Sequence, residues 1–129
     1  MVAMPLYMLV MSLAAPFPAG EPAIAGDPYL AYWYAVEILH GRFPLGEKAI
    51  AEDADLSFRY SRNILDGRFK LGEEAISKKP YWAFMYAQYV IKGRFPLGED
   101  AINSDSKIAE RYRSILDYYY KLKKDLNLH

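Results

Sequence analysis

The stretch Gly41-Arg42-Phe43-Pro44-Leu45-Gly46-Glu47-Lys48-Ala49-Ile50 decides the fold because the chain writes it three times. It returns as Gly67-Arg68-Phe69-Lys70-Leu71-Gly72-Glu73-Glu74-Ala75-Ile76, and again as Gly93-Arg94-Phe95-Pro96-Leu97-Gly98-Glu99-Asp100-Ala101-Ile102. A worn copy comes first, as Phe17-Pro18-Ala19-Gly20-Glu21-Pro22-Ala23-Ile24. The step is 26 residues each time, without a gap. A fixed period of this size marks a repeat array and outranks any local motif.

Working outward, each unit reads as two helices. Asp27 is placed to cap a helix, and Pro28 suits its first position, where a missing N–H costs nothing. Leu30, Ala31, Tyr34, Ala35 and Ile38 then form one apolar stripe at helical spacing. Gly41 predicts a left-handed stop. Pro44 opens a shorter second helix to about Ala51, with Glu47 at its positive dipole end. Later units follow the same grammar from Asp53, Pro80 and Asp105. The core Tyr34 returns as Tyr60, Tyr86 and Tyr112. After Tyr112 one residue is lost from the register and Tyr118 replaces the stop glycine, so the last helix runs on.

The opening Met1 to Ala15 is apolar and uncharged in its side chains. A secretory signal would need a basic start, and Pro5 interrupts the run. Subtracting 26 from Trp33, Val36 and Leu39 lands on Tyr7, Val10 and Leu13, so this stretch reads as a degenerate first repeat. The predicted architecture is all-α: a short α-solenoid with a degenerate N-terminal unit and a capping C-terminal helix. One domain, 1–129, divides into units of about 1–26, 27–52, 53–78, 79–104 and 105–129.

With 16 basic and 16 acidic residues the net charge is zero, which argues against nucleic acid as a partner. No cysteine is present, so disulfides and thiolate metal sites are excluded. No run is long enough to span a bilayer. Charge is uneven: residues 1–40 hold Glu21, Asp27 and Glu37 and no Lys or Arg, whereas Lys107 to His129 holds six bases and three acids.

The phrase Asp27-Pro28-Tyr29-Leu30-Ala31-Tyr32-Trp33-Tyr34-Ala35, followed by Gly41-Arg42-Phe43-Pro44, resembles a tandem helical repeat found in uncharacterised bacteriophage, viral and bacterial proteins. The resemblance covers residues 17–112. It implies a phage-like origin and a scaffolding role, in host cytoplasm or a virion rather than secreted, and carries no activity to transfer.

Candidate chemistry within the repeats is thin. Arg42, Arg68 and Arg94 form a ladder that could hold anions, but Glu47, Glu73 and Glu99 follow each by five residues, which favours pairing within or between repeats. His40 and His129 are isolated, and no catalytic, cofactor or metal set is expected. The aromatic outer face is more informative. Tyr29, Trp33 and Val36, with Tyr7 and Val10 before them and Tyr81 and Met85 after, form an apolar stripe that the second copy replaces with Asp55, Arg59 and Arg62. The expectation is a non-enzymatic protein that self-associates through its front layers as an oligomer or filament. The alternative is an adaptor or inhibitor that binds one host protein.

Overall fold

The computed structural model describes residues 15–127. Among these the fold is all-α, a stack of repeated helical layers with no strands. A one-turn 3₁₀ segment, Pro18–Gly20, leads into α1 (Glu21–Ala25). Each following layer has a longer helix, α2 (Pro28–Tyr34), α4 (Ala54–Tyr60) or α6 (Pro80–Tyr86). Each then has a 3₁₀ turn and a shorter helix, α3 (Glu47–Ile50), α5 (Glu73–Ser77) or α7 (Glu99–Asn103). The last helix, α8 (Ser106–Asp125), is unbroken.

The starts follow the expected chemistry. Asp27 accepts from the Leu30 N–H at 2.9 Å, and Asp53 from the Leu56 N–H at 2.8 Å. Asp105 accepts from Lys107 and Ile108, both at 3.1 Å. In the third layer Lys79 takes the cap position without a side-chain bond, and Pro80 supplies the start instead.

The stops differ from expectation. Each longer helix widens into one π turn, at Ala35–Leu39, Ser61–Leu65 and Ala87–Ile91. Ala35, Ser61 and Ala87 are fully buried there. The widened turn brings two N–H groups onto one carbonyl: Ala35 O accepts from His40 and Gly41, and Ala87 O from Lys92 and Gly93. The left-handed residue is therefore the one before the glycine: His40, Asp66 and Lys92 have φ of 52°, 50° and 59°. Among the described residues no glycine has a positive φ, so Gly41 is not the left-handed cap. A π turn holds one residue more than an α turn. After Tyr112, where the register is one residue shorter, α8 carries no π turn and continues as ordinary α-helix.

Gly46, Gly72 and Gly98 have a different task. A Cβ on Gly98 would lie 2.7 Å from the Phe95 ring and 2.8 Å from Ala83 Cβ, and Gly46 faces Phe43 and Ala31 in the same way. Here the shorter helix crosses the longer one at near backbone contact. The core follows from this crossing. Tyr34, Tyr60, Tyr86, Phe43, Phe95, Ile24, Ile50, Ile76 and Ile102 are its largest fully buried side chains, with Phe84 beside them. Phe43, Phe69 and Phe95 pack on Tyr34, Tyr60 and Tyr86 with ring centroids 4.9, 4.9 and 5.1 Å apart.

The two kinds of glycine should separate on substitution. Gly98→Ala should lower unfolding free energy by about 1–3 kcal/mol through overpacking. Gly93→Ala, whose Cβ meets nothing within 4 Å, should be neutral or stabilise by up to about 1 kcal/mol. Urea titrations followed by helical circular dichroism compare the two midpoints.

Candidate interaction surface

The arginine ladder resolves first. Arg42 grips Glu47 with two bonds, Nε to Oε2 and Nη2 to Oε1, both 3.0 Å. Arg68 holds Glu73 at 2.8 and 2.8 Å, and Arg94 holds Glu99 at 3.1 and 2.7 Å. The five-residue separation works because the arginine lies in the turn and the glutamate opens the shorter helix beyond it. Sequence reasoning missed the third member. The Tyr60 hydroxyl of the next layer donates to Glu47 Oε2 at 2.5 Å, and accepts from the Phe43 N–H at 3.1 Å. Tyr86 and Tyr112 repeat both bonds on Glu73 and Phe69, and on Glu99 and Phe95. The signal was present: a tyrosine stands 13 residues after each glutamate, and a core-only residue would need no hydroxyl.

Electrostatics explain why the set stays together. Burial pushes the Glu47 and Glu73 carboxyls up, but the Arg and Tyr hydrogen bonds outweigh it and hold both below the ordinary value. For Glu99 the Arg94 bond leads, and the carboxyl is again lowered. Burial, then the glutamate beside it, pushes the Tyr60 and Tyr112 hydroxyls up to about 12. Every buried polar side-chain atom among the described residues has a partner. The ladder is thus interlayer structure. In the front layer Tyr34 bonds Glu21 at 2.6 Å and takes the Phe17 N–H, but Pro16 stands in the arginine's place.

The aromatic stripe divides. Tyr29 is 67% exposed and Tyr81 is exposed, with its ring edge-on to Trp82. Trp33 and Met85 are half-buried against the core of their own chain, and Val36 is half-buried too. Tyr7 and Val10 lie outside the described residues. Part of the stripe is a seam between layers: Arg62 stacks over the Tyr89 ring at 4.7 Å, and Asn63 donates to the Tyr32 hydroxyl at 3.0 Å. Tyr81 and Met85 share a groove with Phe58, Arg59, Arg62 and Trp82.

Two surfaces were not expected. The end of α8 exposes Tyr118, Tyr120, Leu122 and Leu126 among Lys121, Lys123 and Lys124. The turn edge exposes Leu45, Leu71 and Leu97, one per layer. Beside Leu71 a groove is lined by Arg42, Ile64, Leu65, Arg68 and Lys70, and its one acid is the already gripped Glu47. A second groove on the same edge, near α8, is lined by Lys92, Arg94, Leu116, Tyr119, Tyr120 and Lys123, with Asp117 as its one acid.

Among the described residues no group of three or more acidic or histidine side chains could hold a metal. No helix among them is long and apolar enough to cross a membrane. No family model, curated protein or solved structure matches the chain.

Removing one hydroxyl tests the network. Tyr86→Phe should cost about 1–3 kcal/mol, because the buried Phe69 N–H loses its acceptor. The lowered glutamates also set a pH dependence. Their contribution is complete above the ordinary carboxyl value of 4.5 and is lost as pH falls below it and the folded groups protonate. Thermal midpoints should stay level from neutral pH down to about pH 5 and then drop. The drop should be smaller in Glu73→Gln, whose midpoint starts lower.

Proposed function

We propose that this chain is a non-enzymatic scaffold that associates with copies of itself end to end. The reading is supported by one contrast between its two ends. The front layers, residues 15–40, carry Glu21, Asp27 and Glu37 with no base, and expose Tyr29. The far end of α8 is basic and exposes two tyrosines and two leucines. An acidic aromatic face and a basic apolar face on opposite ends attract one another, and apolar burial then holds the contact. Such a head-to-tail contact forms a filament if it does not close and a ring if it does. A phage-like origin, proposed from the repeat's resemblance alone, fits a structural part of this kind.

The groove between Tyr81, Met85 and Trp82 favours a second reading, an adaptor or inhibitor that takes one other protein there. The two readings differ in what a lone chain does in solution. Size-exclusion chromatography with light scattering should find oligomers at tens of micromolar, weakened by salt. Tyr29→Glu, at an exposed position, should dissociate them without altering the helical spectrum. A monomer at that concentration defeats the end-to-end reading. Trp33→Glu is a poorer test, because Trp33 also packs on the core.

A further inference from the structure

Comparison of the three full copies with one another isolates a surface that the fold does not use. Nine positions carry the same residue in all three: those of Tyr34, Gly41, Arg42, Phe43, Leu45, Gly46, Glu47, Ala49 and Ile50. Seven have structural work. Tyr34, Phe43, Ala49 and Ile50 are core; Arg42 and Glu47 belong to the network; Gly46 permits the helix crossing. The remaining two are the Leu45 and Gly41 series. Leu45, Leu71 and Leu97 are 57%, 62% and 60% exposed. The glycines need no special backbone angle, and a Cβ at any of them would meet nothing closer than 3.8 Å. Neighbouring exposed positions differ between copies, as with Lys48, Glu74 and Asp100.

Both unexplained positions lie on the turn edge. Leucine offers apolar area, and a bare glycine lets another chain approach closely. Between them the surface is cationic. The arginines point outward while Glu47 and Glu73 lie buried beneath them. Beyond the arginines, whose charge the glutamates pair, one groove on this edge adds Lys70 and the other adds Lys92 and Lys123 against Asp117. Packed helices stack about 8–10 Å apart. An α-helix laid across them rises about 10.5 Å in seven residues, so one heptad position meets one leucine per layer.

We propose that this edge is a docking rail for an acidic amphipathic helix of another protein, which sets one apolar side chain against each of Leu45, Leu71 and Leu97. The rail's leucines and glycines lie outside the end-to-end contact, and only the groove beside α8 touches both, through Tyr120 and Lys123, so variants of the leucines test the rail alone.

The probe is a fluorescein-labelled helical peptide of three heptads, with leucine once per heptad and glutamates flanking it. Titration with the full chain is read by anisotropy. Wild type should bind it, more weakly as salt rises, and should not bind the same peptide with lysine for glutamate. The triple variant Leu45→Ser, Leu71→Ser, Leu97→Ser should bind roughly tenfold or more weaker, since each leucine contributes through buried apolar area. A second variant, Gly67→Gln with Gly93→Gln, keeps the leucines and obstructs the rail, and should lose binding as well. Equal binding by wild type and both variants, or equal binding of the lysine peptide, overturns the proposal. So does a change of oligomeric state in the triple variant with no peptide bound by wild type, which would assign the rail to a second copy.

Discussion

The stack depends on a hydroxyl that bonds in both directions. Each core tyrosine reaches back into the previous layer, takes a backbone N–H and donates its own hydrogen to a carboxylate, which for Tyr60, Tyr86 and Tyr112 is also clamped by arginine. A buried carboxylate is costly to remove from water unless its oxygens are occupied. Two guanidinium bonds and one phenol bond occupy them here. The phenol also fills the space between layers, and a buried aromatic of this size withdraws about 150–250 Å² from water. Apolar burial and polar satisfaction therefore come from one side chain, so one layer cannot be assembled without fixing the position of the next. This is the nearest-neighbour coupling expected of repeat arrays.

The coupling is graded along the chain. In the second layer Arg68 is the least exposed of the three arginines, and Glu73 is buried. Toward the back, Glu99 is more exposed and its pair with Arg94 counts for less. At the front the guanidinium is replaced by Pro16, leaving the Tyr34 to Glu21 bond. The described layers are tied more loosely toward the front and the back than in the middle, and the most exposed tyrosines stand toward those ends, at Tyr29, Tyr118 and Tyr120.

Much of the architecture was legible in the residues. Asp27, Asp53 and Asp105 announced helix starts, and the spacing of Tyr34, Tyr60, Tyr86 and Tyr112 located the core. The glycine at each stop pointed to the correct place but to the wrong backbone. A π turn cannot be told from an α turn by apolar period over five residues, so the left-handed conformation fell to His40, Asp66 and Lys92 instead. The interaction face was only partly legible. Period alone put Trp33 and Met85 on the outside, yet both pack against the core of their own chain. The leucines of the turn edge passed unnoticed, since a leucine in a repeat is read by default as core.

The unbroken α8 has a meaning beyond its own packing. Each of the three layers whose longer helix is described holds one surplus residue within its π turn, at Ala35–Leu39, Ser61–Leu65 or Ala87–Ile91, before the chain leaves the helix for the turn that presents an arginine and a glutamate. Without that residue the polypeptide goes straight and builds no further acceptor for an incoming tyrosine. The deletion therefore acts as punctuation: each block upstream of Tyr112 ends in a turn that receives the next layer, whereas the helix from Ser106 runs straight to Asp125 and offers no such turn along its length.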